Sequence, residues 1–381
     1  MKLTFDETPK QLELIRAMGS KNKVTAETAQ NAFAALLSPI LGQVLQQADT
    51  TKQFYRDFPY DEGTNPSYTA ELFLNVDKEH FAVWSAGMPG GLATNTFFLP
   101  HDEVKFTTYR LDSAWSILIK YAREGSLQVV SRALERLMQE VLLKTNHMAW
   151  SVMLAALAQA SHSYLGVSMG HVTRAAATGV LTLEDQSALL TRFRRLNSSW
   201  TDGTPVGGGG SPTDMYLSPQ MMQYLRSLSY NPINIKGANN TTGTANSGIV
   251  TLPEAQRAAL WNSGGVPEFY GIAIHELLEL DKGNAYSVLF DTYIGSLDIP
   301  LVDGTASGTV FDSATNEVML VIDSSRDLGL RALEKSAENG STFTLEPDDQ
   351  FLKRSKKLGW FGGLEEGRHV TDTYGLHAMV L

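Results

Sequence analysis

The sequence predicts a mixed α+β protein built from two compact units. Residues 25–47 and 126–158 repeat their apolar side chains at three- and four-residue spacing, which is typical of helices. Shorter β-prone runs, some with alternating polarity, lie between and after these stretches and indicate strands. The chain has 381 residues, more than one simple core usually contains, so two units or one unit with long insertions are expected.

The composition excludes several classes of protein. A hydrophobic content of 43% with 19% charged residues is that of a folded globular chain. Cysteine is absent, which excludes disulfides, thiol catalysis and cysteine-ligated metal, and fits a reducing compartment. No apolar run reaches 18 residues and residues 1–7 include acids, so neither a membrane helix nor a secretory signal is expected. The net charge of −10 argues against a duplex DNA binder.

The N-terminal part predicts a polar, irregular segment up to Lys23, followed by a helix capped by Thr25. Pro39 lies inside the helical pattern and is expected to kink or divide it. Two interpretations of the apolar face stay open: a helix packed on its own domain, or an arm packed on a neighbouring subunit. The face comprises Phe33, Leu36, Leu37, Ile40, Leu41 and Val44.

Residues 67–110 predict a long two-stranded β excursion. Its strand-like runs are interrupted by the turn-rich segment 85–91, which contains three glycines and a proline. A hairpin of this length is only marginally stable alone in water. It therefore needs a partner surface, in its own chain or in another.

The central part predicts a strand over 109–119 and then a long helix that begins at the N-cap Ser126 and ends near Ala158. A helix of this length spans about 50 Å. Its apolar stripe does not keep a strict heptad repeat, which favours a spine inside one domain over a coiled coil.

The later part predicts shorter elements. A helix follows the capping signal Thr182–Asp185, and a glycine-rich loop lies over 201–212. Further strands are predicted over 214–218, 270–274, 285–293 and 317–323, and further helices over 219–228 and 327–335.

No motif predicts catalysis. The glycines at 207–210 precede Ser-Pro instead of the Lys-Ser/Thr of a phosphate-binding loop, so a flexible loop is expected. His275-Glu276 lacks the second histidine that a zinc peptidase needs, since position 279 is Glu, and a structural role is expected. No Gly-x-Ser-x-Gly elbow is present. We therefore predict no catalytic, cofactor or metal site, and no enzyme.

The acidic and basic clusters are predicted to lie at the surface. Asp298, Asp303 and Asp312 are too sparse for a calcium loop. The basic run 353–357 is interpreted as a solvated charge run, or as a partner for the acidic stretch 346–349 of the same or a neighbouring chain.

The order of these elements resembles the major capsid proteins shared by tailed bacteriophages and herpesviruses. The resemblance covers roughly residues 26–381 and lies in element order and local pattern, since the family has no short diagnostic motif. It includes the helix after Thr25, the excursion 67–110, the strand leading into the helix from Ser126, and the strand at 214–218 that ends near Pro219. The run Tyr270-Gly271-Ile272-Ala273-Ile274 resembles a strand that recurs in the family.

The resemblance implies a fold with named parts. These are an N-terminal arm over 1–66, an extended β-hairpin called the E-loop over 67–110, and a peripheral domain over 111–179 with the spine helix 126–158. An axial domain over 180–345 and a return to the peripheral domain over 346–381 complete it.

The resemblance also implies a function. Copies of the chain would assemble into hexamers and pentamers of an icosahedral shell around a double-stranded DNA genome, within a virion assembled in host cytoplasm. Expected partners are other copies, a separate scaffolding protein, a portal, decoration proteins and, non-specifically, the packaged DNA; no membrane is expected. No long coiled coil precedes the arm, so a fused scaffolding domain is not expected, and no residue pair is singled out for a covalent crosslink.

Nine residues are candidate intersubunit contacts: Phe33, Leu37 and Leu41 in the arm, Trp84, Met88, Leu92 and Phe97 in the excursion, and Lys353 and Arg354 near the C-terminus. The alternatives to a phage capsid protein are an encapsulin-type compartment shell, another virion structural protein, and a hydrolase with a dispersed site.

Overall fold

The computed structural model describes residues 8–69, 103–164, 167–176, 181–196, 210–230, 268–337, 340–348 and 356–381. The chain divides into two compact units. The first contains Met1–Tyr68, Glu103–Ala149 and Gly329–His369, and the second contains Thr69–Asp102, Trp150–Leu328 and Val370–Leu381. The domain boundaries implied by the resemblance stay a prediction.

The described residues combine helices and strands, as the α+β prediction requires. The helices are α1 (Pro9–Met18), α2 (Lys23–Ala48), α3 (Ile119–Glu124), α4 (Leu127–Gln159), α5 (Leu183–Leu196), α6 (Pro219–Tyr230) and α7 (Ala285–Ile294). The strands are β1 (Tyr55–Asp61), β2 (Ser67–Thr69), β3 (Glu103–Lys105), β4 (Thr108–Leu118), β5 (Ser161–Tyr164), β6 (Val167–Gly170), β7 (Val172–Arg174), β8 (Asp214–Leu217), β9 (Glu268–Phe269), β10 (Ile272–Glu276), β11 (Val318–Ile322), β12 (Gly329–Lys335), β13 (Thr344–Asp348), β14 (Lys357–Val370) and β15 (Leu376–Val380).

The first unit is built around a five-stranded sheet in the order β1-β12-β14-β13, with β4 also paired to β14. Strand β4 pairs antiparallel with β14 from Leu118↔Lys357 to Thr108↔Gly367. Helices α1, α2 and the first part of α4 contribute side chains to the same core as this sheet. At its centre the indoles of Trp115 and Trp360 stack with ring centroids 4.5 Å apart.

The second unit is built around a six-stranded sheet in the order β7-β15-β11-β8-β10-β9. All residues of β8, β11 and β15 are buried, so these strands form its interior. Helices α5 and α6 pack apolar side chains such as Phe193 and Met221 into the same core. A separate two-stranded pairing joins β5 and β6.

Several predicted elements are confirmed. Strand β4, helix α4, helix α5, the β8-to-α6 connection and strand β11 lie within one or two residues of their predicted bounds. The predicted cap of α5 is also present: the Asp185 amide donates to the Thr182 hydroxyl at 3.1 Å, and that hydroxyl donates to the Asp185 carboxylate at 2.6 Å. Helix α4 is long and apolar enough to cross a membrane by length and composition, but Leu134, Trp150 and Leu154 are buried in the protein.

The N-terminal prediction is wrong in two respects, the segment before Lys23 and the cap of α2. Residues 9–18 form helix α1 instead of an irregular segment. The cap of α2 is Asn22, whose side chain accepts from the Val24 amide, so Thr25 lies inside the helix. Pro39 does not divide α2, which continues to Ala48.

Two further predictions are wrong about the type of element, one naming a strand where a helix forms and the other naming a helix where a strand forms. Residues 285–294 form α7, because Tyr286, Phe290 and Ile294 recur every four residues and are buried together on one face. Residues 329–335 form strand β12, which pairs parallel with β1 and is buried over its first five residues. The strand predicted at 270–274 begins at Ile272 instead, because Tyr270 and Gly271 adopt positive φ angles in the turn after β9.

Candidate functional site

Helix α2 carries apolar residues on two opposite faces. Its inner face packs in the core of the first unit, and its outer face is exposed. No charged residue occurs between Thr28 and Ala48, so neither face carries a charge over five turns. The residues of the outer face, which we call the α2 outer face, are Ala32, Ala35, Leu36, Pro39, Ile40 and Gln43.

The α2 outer face departs from the usual pattern of a surface helix. Leu36 is 50% exposed and Ile40 is 38% exposed, although the side of a helix that faces water is normally charged or polar. A helix that is apolar all round is usually buried. The α2 outer face is therefore a candidate surface for contact with another protein.

Three predicted contact residues lie on the opposite, inner face of α2. Phe33, Leu37 and Leu41 are buried in the core of the first unit, and Phe33 contacts Trp360 with ring centroids 5.5 Å apart. Of the two interpretations of this apolar face, packing on its own domain describes these three side chains. Sequence periodicity could not separate the two faces, because both are apolar.

The other six predicted contact residues lie outside the described residues. Trp84, Met88, Leu92 and Phe97 fall within 70–102, and Lys353 and Arg354 fall within 349–355. Only the base of the predicted excursion is described, where β2 pairs with β3. Aromatic contacts place this base beside β1: Phe58 lies 6.3 Å from both Tyr68 and Phe106, between ring centroids.

Helix α4 also exposes apolar side chains. Leu143 of α4 is 71% exposed, whereas Leu134 and Met138 of the same helix are buried in the core of the first unit. Exposed single leucines are common on protein surfaces. Leu143 therefore does not define a contact surface by itself.

A buried ionic cluster joins four chain segments of the first unit. Arg331 contacts Glu366 at 2.7 Å and Asp49 at 3.1 Å, and Arg368 contacts both carboxylates at 3.3 Å. Tyr109 donates a further hydrogen bond to Glu366. The cluster thus connects the end of α2 with β4, β12 and β14.

The electrostatics of this cluster favour its charged form. Burial alone would raise the pKa of the Asp49 carboxyl, but Arg368, Arg331 and hydrogen bonds from Thr51 hold it below its usual value. Burial similarly opposes the charge of Arg368, and Glu366 with Asp49 raises the pKa of that guanidinium. Two arginines and two carboxylates balance each other, so the cluster is structural and offers no free group for catalysis.

His275, the first residue of the rejected zinc motif, has a structural environment in the second unit. Its Nε2 lies 2.9 Å from the Asp214 carboxylate on the neighbouring strand, and its ring stacks on Tyr216 at 4.8 Å. The nearby Ser324 hydroxyl bonds to Thr213 instead of His275. These residues therefore do not form a serine–histidine–aspartate triad.

A buried carboxylate lies at the start of α6. The Ser218 hydroxyl donates to Glu317 and accepts from the Met221 amide at 3.1 Å, so Ser218 caps the helix. Burial raises the pKa of Glu317, while the Ser218 hydrogen bond and Lys282, 3.7 Å away, lower it. Within the described ranges, no group of three or more histidines or acids is arranged to hold a metal ion.

Sequence reasoning missed one cluster of functional interest. His162, His171 and His377 converge in the second unit, although their positions in the sequence show no ligand spacing. No local pattern could have found them, because two lie on strands and one between strands, and pairing with β15 brings them together.

The sequence matches no family model and no curated protein. Among solved structures, the chain is similar to one in the capsid of the cyanophage P-SCSP1u, with 12% identity, 87% of this chain and 88% of that chain covered, and a TM-score of 0.46. It is also similar to the holo-SrpI encapsulin complex from Synechococcus elongatus, with 10% identity, coverage of 86% and 85%, and a TM-score of 0.41. For the mature capsid of bacteriophage PhiM1 the values are 11% identity, 87% and 86% coverage, and a TM-score of 0.42.

Proposed function

We propose that the protein is the major capsid protein of a tailed bacteriophage. Its copies assemble into hexamers and pentamers of an icosahedral shell that encloses double-stranded DNA. The observation that carries the proposal is the charge-free stretch 28–48 of helix α2, which is packed on one face and exposes apolar residues on the other.

The physical argument starts from the cost of leaving this face in water. Burying apolar surface stabilises an association by roughly 25 cal/mol per Å². In this proposal another copy of the chain covers Leu36 and Ile40, which the described residues of their own chain leave exposed. A subunit that exists mainly within an assembly needs such a face, whereas a solitary monomer gains nothing from it.

The order of the described elements supports the same function. Helix α2, the paired strands β2 and β3, strand β4 leading towards α4, and β8 leading into α6 at Pro219 follow one another as the resemblance implies. The strands β2 and β3 lie at the two ends of the predicted E-loop, where an excursion from the first unit is expected to begin and end.

The proposed partners follow from the shell. Other copies of the chain meet at the α2 outer face and at the predicted contacts of the E-loop. A separate scaffolding protein, a portal and decoration proteins are further proposed partners, and the packaged DNA is contacted non-specifically. The net charge of −10 suits a shell that must not bind its DNA tightly, because lysine and arginine contacts to phosphate dominate non-specific affinity. The proposed location is the virion, after assembly in host cytoplasm.

The test is to express the full chain and image the soluble fraction by negative-stain electron microscopy, with size-exclusion chromatography as a cross-check. Closed shells, tubes or ring-shaped capsomers are expected. A compact monomer or small dimer, both with and without a co-expressed scaffolding protein, overturns the proposal. Shells that enclose host protein cargo instead of DNA favour the encapsulin-type alternative.

The contribution of α2 is tested separately. Leu36→Lys with Ile40→Lys places two charges on the α2 outer face and is expected to leave folded chains that no longer form particles. Val24→Lys is the matched control, because Val24 is an exposed aliphatic residue of the same helix that precedes the charge-free stretch. Particle yield equal to the unsubstituted protein in both variants shows that the outer face is not a subunit contact.

A further inference from the structure

Three histidines meet at one edge of the six-stranded sheet in the second unit. His162 lies on β5, His171 lies between β6 and β7, and His377 lies on β15. The ring centroids of His162 and His171 are 4.7 Å apart, and those of His171 and His377 are 6.3 Å apart. His171 and His377 are fully buried.

The hydrogen bonds define which nitrogen of each ring carries a proton. Nδ1 of His171 lies 2.6 Å from the Leu376 carbonyl oxygen, which can only accept, so Nδ1 is the donor. In a neutral imidazole the other nitrogen then accepts, so Nε2 of His171 accepts from Nδ1 of His162 at 2.5 Å. With both rings neutral, His162, His171 and the Leu376 carbonyl thus form a directed chain of hydrogen bonds.

His171 also joins the same segments through its backbone. Its amide donates to the Ala160 carbonyl at 3.1 Å, and its carbonyl accepts from the Ala378 amide at 2.9 Å. Side chain and backbone together connect the β5–β6 hairpin to the segment that enters β15. Because β7 is an edge strand, this connection lies where the sheet can open without separating its central strands.

Among the described residues, no acid acts directly on His171 to stabilise a protonated ring. The groups that act on His171 are His162, the buried Arg192 of α5 and the Leu376 carbonyl, while His171 and Arg192 act on His377. Arg192 donates to the Gly170 and Val302 carbonyls at 3.0 and 3.3 Å, and Asp303 is the acid that influences it. The tilted ring of Tyr374, with Arg326 over it, contacts the His162 ring, and Arg326 is paired with Asp372 at 2.6 Å.

We propose that His162, His171 and His377 form an acid-responsive clasp that keeps the β5–β6 hairpin and β7 attached to β15 at neutral pH and detaches them when His171 becomes protonated beside a protonated His162. When both rings are protonated, Nδ1 of His162 and Nε2 of His171 each carry a hydrogen, so two N–H groups face each other across their 2.5 Å contact. The new charge also lies close to Arg192, which is positive. The proposal concerns the second unit alone and does not depend on the proposed function.

The direction of the pH effect follows from burial. Burial lowers the pKa of His171 to about 4, and His162 and Arg192 act in the same direction, against the Leu376 hydrogen bond. In the detached state the ring is solvated and its pKa returns to about 6.5. The detached state therefore binds more protons between these two values, and the clasp weakens as pH falls from about 6.5 to about 4.

The experiment is amide hydrogen exchange of the full chain between pH 7 and pH 4, corrected for the intrinsic pH dependence of exchange. The amides of His171 and Ala378 are expected to lose about 100-fold in protection over this range, as the two pKa values require. His171→Asn retains an N–H donor but cannot titrate, so protection in this variant should be lower at pH 7 and should fall much less with acid than in the unsubstituted protein, the remaining fall coming from His377.

His369→Asn is the matched control, because burial also lowers the pKa of His369, which lies in the first unit. This variant is expected to keep the full acid sensitivity at His171 and Ala378. The proposal is overturned if the unsubstituted protein shows no loss of protection at these amides. It is equally overturned if His171→Asn keeps the same pH dependence. The first outcome needs no variant, so a failure of His171→Asn to fold leaves the test intact.

Discussion

Arg331 on β12 and Glu366 on β14 form an ion pair of 2.7 Å from which solvent is almost entirely excluded. Arg368 and Asp49 also contact this pair, and the four residues form the buried cluster of the first unit. Because a buried charge without its partner is strongly unfavourable, the four residues depend on one another. The cluster holds the end of α2 against the sheet and so helps to orient the α2 outer face.

Replacing Glu366 is expected to destabilise the first unit. Glu366→Ala leaves Arg331 and Arg368 with one carboxylate between them, and the free energy of unfolding should fall by about 3–5 kcal/mol. Urea unfolding followed by tryptophan fluorescence measures the change. Glu140→Ala, from the exposed pair Arg136–Glu140, should change stability by less than about 0.5 kcal/mol. Equal effects of the two substitutions would contradict a special role of the buried cluster.

Two leucines of α4 separate fold stability from surface contacts. Leu134 is 0% exposed, so Leu134→Ala should leave a cavity and lower the free energy of unfolding by about 2–5 kcal/mol. Leu143→Ala removes an exposed side chain of the same helix and should change the free energy of unfolding by less than about 0.5 kcal/mol. Thermal unfolding of the two variants side by side checks this. A similar loss of stability in both variants would contradict the prediction, because it would mean that Leu143 is buried in the folded protein.

Gly329 is expected to tolerate no larger residue. A Cβ at this position would lie 2.7 Å from the Tyr55 ring and 2.9 Å from the His369 carbonyl oxygen. Gly329→Ala should therefore force β1 and β12 apart and lower the free energy of unfolding by about 1–3 kcal/mol. Gly170→Ala is the comparison, because its nearest neighbouring atom would be 3.9 Å away. Chemical unfolding of both variants measures the difference, and equal stability would refute the predicted clash.

Glu317 is expected to reduce stability at neutral pH. Burial raises the pKa of Glu317 above the value of about 4.5 that it has in the unfolded chain. Between these two pKa values the folded state binds more protons than the unfolded state. The free energy of unfolding therefore falls as pH rises from about 4.5 towards the pKa of Glu317 in the folded state. Glu317→Gln retains an acceptor for the Ser218 hydroxyl, and should raise stability at pH 7 by about 1 kcal/mol while flattening its pH dependence. Unfolding titrations at pH 4 and pH 7 check the sign; a variant less stable than the original at pH 7 contradicts it.

The elements that sequence predicted well are long or carry a local signal. Helix α4 repeats its apolar residues over many turns, and α5 begins with a capping pair that is complete within four residues. Such signals need no distant contact. The α2 outer face was hidden from the same reasoning, because an apolar stripe on each side of a helix looks in sequence like one broad apolar segment.

The elements that sequence predicted wrongly are short and depend on distant neighbours. Residues 329–335 contain good helix formers, yet β12 pairs with β1, far away in the chain. Residues 285–294 are rich in β-prone side chains, yet they bury a helical face. Local preferences differ by only about 1 kcal/mol per residue, so pairing and burial override them.

The sequence by itself determined the α+β class, the long central helix, the connection from β8 into α6 and the resemblance in element order. Only the tertiary structure decided that Asp49, Arg331, Glu366 and Arg368 share one buried cluster, and that three separated histidines form one chain of contacts. The physical reason is range: helical periodicity and caps act within a few residues, whereas charge pairing and ring contacts depend on which strands the sheets bring together.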